Sequence, residues 1–180
     1  KILLILEGKL NAPENHSKNL SKYCDYILTW NKDLLKYDKF HHYNFTQQKK
    51  WTQPIDIPFE NRKLLVNISA NKYSSNKNQL YEERRKIIRY AEKKLFNEFD
   101  LYGFDWNRPV TFLQTLFNKL TPFYNSYKGE VKDKSLVFSK YKFAIIYENE
   151  RVNGYVSEKL FDCLRSNCVP IYLGCPNINN

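Results

Sequence analysis

The sequence predicts an α/β fold built on parallel sheets, and three observations carry that prediction. Short apolar runs rich in β-branched and aromatic residues recur along the chain and are bounded by polar or glycine-containing stretches. Between them lies a long segment with the 3.6-residue helical period. Strand-like and helix-like segments alternate rather than segregate, which is the pattern of βα units. At 180 residues the chain has room for one ordinary domain, or one domain and a piece of another. A hydrophobic content of 42% and an aromatic content of 16% exclude a disordered chain. No apolar run approaches the ~18 residues of a membrane-spanning helix.

In chain order, Ile2–Leu6 is expected to be a buried strand ending at Glu7-Gly8, and Asp25–Trp30 (DYILTW) a second strand. Residues 31–62 are polar and aromatic, contain Pro54 and Pro58, and hold no sustained period, so an extended connection and a domain boundary are expected there. Leu64–Ser69 reads as a third strand. Gln79–Glu98 is the strongest helix, with Leu80, Ile87, Ile88, Ala91 and Leu95 on one stripe. Phe99–Tyr102 reads as a strand, Thr111–Leu120 as a helix, and Phe143–Tyr147 as a buried strand. Ser157–Arg165 is a short helix with Ser157 as its cap, and Val169–Leu173 a last strand closed by Gly174. There is no Met in the chain, its opening residues are apolar, and no helix follows the last strand. The expectation is a piece of a longer protein, lacking residues at its N-terminus and at its C-terminus.

A net charge of +10 admits an anionic partner, whether nucleic acid, an acidic membrane or a phosphorylated small molecule. The cations are scattered in small groups such as Arg84-Arg85-Lys86 and do not form the stripe of a nucleic-acid footprint. Cys24, Cys163, Cys168 and Cys175 lack metal-ligand spacing and read as free, mostly buried thiols, which favours a reducing compartment. Asn-x-Ser/Thr triplets, Asn44-Phe45-Thr46 among them, are expected by chance with 20 Asn in the chain. No Walker motif, no G-x-G-x-x-G and no Asp-x-Asp motif is present.

In open α/β sheets, ligands bind at the carboxyl ends of strands and at the helix amino termini that follow. Glu148 and Asn149 stand at such a strand end, and Lys159 falls in the first turn of the next helix. A cation is misplaced at the positive end of a helix unless an anion joins it, so Lys159 either holds a phosphate with the free N–H groups or pairs with Glu148, Glu150 or Glu158. Arg84 lies on the apolar stripe of its helix and needs either an anionic ligand or an internal partner. Glu7 closes the first strand, where a carboxylate either faces a cleft as a general base or faces water. Gly174 either lets the backbone approach a ligand or makes a turn.

Lys140–Ile178, KYKFAIIYENERVNGYVSEKLFDCLRSNCVPIYLGCPNI, resembles the carboxyl-terminal signature of the α-1,3/1,4-fucosyltransferases, glycosyltransferase family ten. The matching parts are a strand ending in aromatic-Glu-Asn, then Tyr-Val-Ser-Glu-Lys, then Val-Pro-Ile-Tyr-Leu-Gly. Leu80-Tyr81-Glu82-Glu83-Arg84 with Asp100–Trp106, Tyr127-Lys128-Gly129 with Lys134, and Glu7 with Pro13-Glu14-Asn15 are similar in a looser way. Ser157 stands in place of the family's usual Thr, and Leu173 in place of an aromatic.

The resemblance implies a GT-B architecture of two Rossmann-like domains around a cleft. Residues 1–61 would be the end of an acceptor-binding domain and its linker, and residues 62–180 the GDP-fucose domain. It implies an inverting transfer of L-fucose from GDP-fucose to a glycan hydroxyl, in α-1,3 or α-1,4 linkage. Arg84 and Lys159 would bind the diphosphate and Glu158 the ribose, while Asn149 and Tyr155 would line the donor site. Glu7 would be the general base, with Glu14 its rival. No metal or other cofactor is expected, since the two cations can do the work of a metal. The alternatives are a transferase for another nucleotide sugar and a basic nucleic-acid-binding α/β module. The expected location is the cytoplasm, at the surface of a membrane, or the Golgi lumen for a eukaryotic chain with an N-terminal anchor.

Overall fold

Alternation of apolar runs and helices does produce parallel sheets. The computed structural model describes residues 1–44, 52–108 and 124–179. Within them, β1 (Ile2–Ile5), β2 (Tyr26–Thr29) and β3 (Phe40–His42) form a three-stranded sheet in that order. β4 (Lys63–Ile68), β5 (Phe99–Tyr102), β6 (Tyr141–Tyr147) and β7 (Val169–Leu173) form a second sheet ordered β5-β4-β6-β7. Each of these pairings is parallel.

Helices cover both faces of the second sheet, as a fully parallel sheet requires. On one face α1 (Tyr81–Leu95) packs Ile88 and Ala91 against Leu65, Phe99, Leu101 and Ile145. On the other, α2 (Lys134–Phe138) and α3 (Glu158–Arg165) bring Phe138 and Cys163 onto Val66, Ala144 and Ile146. Successive residues Ala144, Ile145 and Ile146 thus serve opposite cores, which is why this strand is apolar without alternation. All four cysteines are free, and Cys163, Cys168 and Cys175 are buried.

The first sheet differs from expectation. Ile5, Ile27, Leu34 and Phe40 form its core on one face. On the other face Ile2, Leu4 and Tyr26 are 70%, 47% and 56% exposed, so the first strand is not buried through its length. Its apolar run serves two faces, and only one of them is covered. Residues 31–62 are not a featureless connection either. They contain the 3-10 turn Lys32–Leu34, the strand β3 and the 3-10 turn Phe59–Asn61. β3 has only three residues, and its parallel pairing with β2 gives the order that its sequence pattern does not show. Further along, Thr52 accepts a hydrogen bond from Ser135 and Phe59 packs on Phe143, which applies this segment to the second sheet. α2, capped by the Asp133 carboxylate on the N–H groups of Ser135 and Leu136, was too short for any period to reveal. The expected helix at Thr111–Leu120 lies outside the described residues.

Candidate active site

A cavity of about 700 Å³ lies where the carboxyl ends of the two sheets meet. Glu7 follows β1, Trp30 follows β2, Ser69 follows β4, Gly103 follows β5 and Asn149 follows β6, and all five line it. Arg84, Tyr155, Glu158 and Lys159 complete the set, so the six residues singled out from sequence share one cavity. Glu14, the rival of Glu7, is exposed on a 3-10 turn and is not among the lining residues.

Arg84 reaches the cavity because its helix is tied to the exit of β6. Gln79 caps α1 through the N–H groups of Tyr81 and Glu82, and the Leu80 N–H donates to the Asn149 carbonyl at 2.9 Å. The guanidinium, 2% exposed, donates from Nη2 to the carbonyls of Tyr147 (2.6 Å) and Glu148 (2.9 Å). Asn149 Oδ1 lies 3.4 Å from the same nitrogen. Among the described residues no carboxylate pairs with Arg84, and its Nε is buried without a partner. Burial pushes its pKa down to about 10, so it keeps its charge at neutral pH. This is a buried cation held by neutral dipoles, which leaves charge available for an anion.

Lys159 is organised by a residue that sequence reasoning weighed only as a pairing partner. Glu148 is fully buried and accepts from the Ser157 N–H (2.8 Å) and the Ser157 hydroxyl (2.6 Å). Its Oε2 also lies 3.4 Å from Lys159 Nζ, and Ser157 Oγ lies 3.0 Å from the same ammonium. Of the two readings of Lys159, the pairing with Glu148 is therefore present, and the ammonium still lines the cavity. Gly174 serves this pair rather than a ligand, because a Cβ there would collide with Glu148 and the Tyr172 hydroxyl. The signal available in the sequence was spacing: a strand-end acid, a cap residue nine positions on, and a glycine after the neighbouring strand.

Glu158, in the first turn of α3, sits 3.6 Å from Lys134, another cation lining the cavity. Burial alone would raise the Glu158 carboxyl, but the charges of Lys159 and Lys134 outweigh it and hold it below its ordinary range. Tyr155 is buried, with its ring 5.0 Å from the Trp30 ring, and burial followed by the nearby Glu148 charge keeps its phenol neutral. Glu7 is exposed to the cavity and accepts from Asn11 Nδ2 at 3.0 Å. Its backbone carbonyl lies 3.1 Å from His16 Nε2, while His16 Nδ1 faces the Asn31 amide at 3.2 Å. Burial lowers the His16 pKa, so the ring is neutral with its proton toward Glu7.

Residues 58–180 match the family description "Glycosyltransferase family 10 (fucosyltransferase) C-term". The chain belongs to glycosyltransferase family ten. The alpha-(1,3)-fucosyltransferase FucT of Helicobacter pylori is 41% identical over 54 residues, 30% of this chain and 11% of the relative. An alpha-(1,4)-fucosyltransferase of Arabidopsis thaliana is 50% identical over 42 residues, 23% of this chain and 10% of the relative. The solved structure of an alpha1,3-fucosyltransferase with GDP-fucose superposes with a TM-score of 0.58 at 18% identity, covering 98% of this chain and 53% of that one. The chain thus spans about half of that structure and aligned stretches of about a tenth of the two curated relatives. The family ten chain has the GT-B fold, with two parallel sheets facing one cleft.

Proposed function

We propose that the protein transfers L-fucose from GDP-fucose to a hydroxyl of an acceptor glycan with inversion at the anomeric carbon, in α-1,3 or α-1,4 linkage. The observation that carries the reading is Arg84, a buried guanidinium lining the cleft with no carboxylate partner among the described residues. Family membership and the GDP-fucose complex of a protein with the same fold support the choice of donor.

The acceptor oxygen attacks the anomeric carbon while Glu7 takes its proton. The bond from that carbon to the diphosphate breaks, and GDP leaves with the electron pair. Negative charge grows on the diphosphate during that step, and Arg84 and Lys159 stabilise it. Glu148 and Ser157 hold Lys159 so that little rearrangement is needed as the charge appears. Glu158, kept ionised, accepts hydrogen bonds from ribose hydroxyls, and Asn149 and Tyr155 shape the donor pocket. Residues 62–180 supply the donor side in this scheme, and residues 1–61 supply the base and the acceptor side.

Competition calorimetry on the full-length protein tests the donor. GDP and GDP-fucose should bind well and UDP-sugars weakly. Equal binding of GDP-mannose or UDP-sugars would replace this donor with another nucleotide sugar, and salt-dependent binding of generic oligonucleotides without GDP binding would replace the enzyme reading altogether. Because two side-chain cations face the diphosphate, turnover should survive EDTA; its loss would assign that charge to a metal.

A further inference from the structure

The loop after β1 and the loop after β6 meet at Glu150, a residue that the proposed chemistry does not use. The residue is 2% exposed. Glu150 Oε1 accepts from the Leu10 N–H at 3.3 Å, and the Lys9 N–H faces the same carboxylate. The carboxylate lies where a side chain at residue 8 would have to go: a Cβ on Gly8 would overlap Glu150 Oε1 and press on the Tyr155 ring. Gly8 is itself buried, and it directly follows Glu7. On its own side, Glu150 is fixed by a bridge to Gln79, and the next residue, Arg151, donates its N–H to the Asn78 carbonyl at 2.8 Å. Those contacts place it at the amino end of α1, the helix that carries Arg84. A buried acid that accepts a backbone N–H from a loop is expensive to keep unless that bond is made.

We propose that Glu150 is a positioning residue that clamps the Gly8–Leu10 loop to the second sheet and so fixes Glu7 opposite the donor-binding residues. The charges that act on it are those of Lys9, on the loop that it clamps, and of Glu7 just before it. Glu7 is then held from two sides: His16 takes its backbone carbonyl, and Glu150 takes the Leu10 N–H that follows. Gly8 is required because the carboxylate occupies the space beside its Cα, not because of its backbone angles.

The inference rests on the fucosyltransfer reading for its kinetic consequence, and the experiment separates the two. In the full-length protein, Glu150→Ala should lower kcat about tenfold or more, because a misplaced catalytic group is costly, while GDP affinity stays at the wild-type value. Glu150→Gln keeps an oxygen that accepts the same N–H groups and should restore most of kcat. Gly8→Ala should reproduce the loss from the other side of the contact and, should Glu150→Ala fail to fold, takes its place. Combining Gly8→Ala with Glu150→Ala should cost no more than either alone. Hydrogen exchange at the Lys9 and Leu10 amides, read without substrate, should quicken in Glu150→Ala. Unchanged kcat, additive losses, or unaltered exchange would overturn the clamp. A wild-type protein without fucosyl transfer would overturn the functional reading, and exchange would still decide the clamp.

Discussion

Replacing Arg84 with Met removes a charge from the cleft while keeping a side chain of comparable reach. In the unliganded protein two effects oppose each other. Burial holds the guanidinium at about 10 instead of 12.5, a penalty on its charged form of roughly 3 kcal/mol that Met does not carry. Against that, the carbonyls of Tyr147 and Glu148 lose the Nη2 donor, at about 1–3 kcal/mol for groups left unsatisfied. The two nearly cancel, so the melting temperature should stay within about 5 °C of wild type. The liganded protein has no such compensation. A charge-assisted hydrogen bond is worth about 1.5–3 kcal/mol, so GDP should bind on the order of 10- to 100-fold more weakly. Arg84→Lys keeps the charge without the planar fork and should fall between the two. Calorimetry with GDP and differential scanning of the same samples measure both quantities. A collapse in melting temperature with unchanged GDP affinity would refute the reasoning and make Arg84 an internal brace between α1 and β6.

Glu7→Gln should cut turnover by about 10²- to 10⁴-fold with GDP affinity unchanged, whereas Glu14→Gln should leave turnover alone; the opposite order would move the base to Glu14. Ser157→Ala removes the α3 cap and the hydroxyl between Glu148 and Lys159, so denaturant unfolding should show a loss of about 1 kcal/mol together with weaker GDP binding. Stability lost without any change in GDP binding would separate the cap from the site. Asp100 provides a pH test away from the cleft. Burial alone would raise its carboxyl, but hydrogen bonds from Lys63 and Tyr141 and the charges of Lys63 and Lys128 hold it below its ordinary 3.8. A carboxyl lowered by folding stabilises above its unfolded value and loses that contribution as pH falls through its folded value. Asp100→Asn should therefore melt lower than wild type near neutrality, with the gap closing as pH drops below about 4. A gap independent of pH would contradict the ionic origin of the stabilisation.

What could be read in the sequence followed pattern length. β5 and β7 coincide with their expected bounds, and α1 differs only at its ends, where Gln79 caps it and Phe96–Glu98 tightens into a 3-10 turn. β3 and α2 are too short to show a period, and tertiary pairing rather than propensity creates them. The burial of Arg84 was legible because helical spacing put it in line with Leu80 and Ile88. The service of Gly174 and Ser157 to Glu148 was not, because it joins residues of separate elements through side chains. Glu150 escaped for the same reason: it accepts the Leu10 N–H from the loop after β1, and no motif records that contact.

The uncovered face of the first sheet bears on how these 180 residues behave as an isolated polypeptide. Ile2 stands beside Tyr26 and Leu4 beside Leu28 on β1 and β2, and among the described residues β1 is the edge strand, pairing only with β2. An apolar ribbon on an open edge is a template for adding further strands, so light scattering should rise steeply with concentration and with added sulfate. Leu4→Lys should suppress that self-association and spare the cleft, because position 4 faces away from the core that Ile5 and Ile27 share. Self-association of the isolated polypeptide thus rests on the face of β1 that carries Ile2 and Leu4, opposite the face that keeps Ile5 in the core.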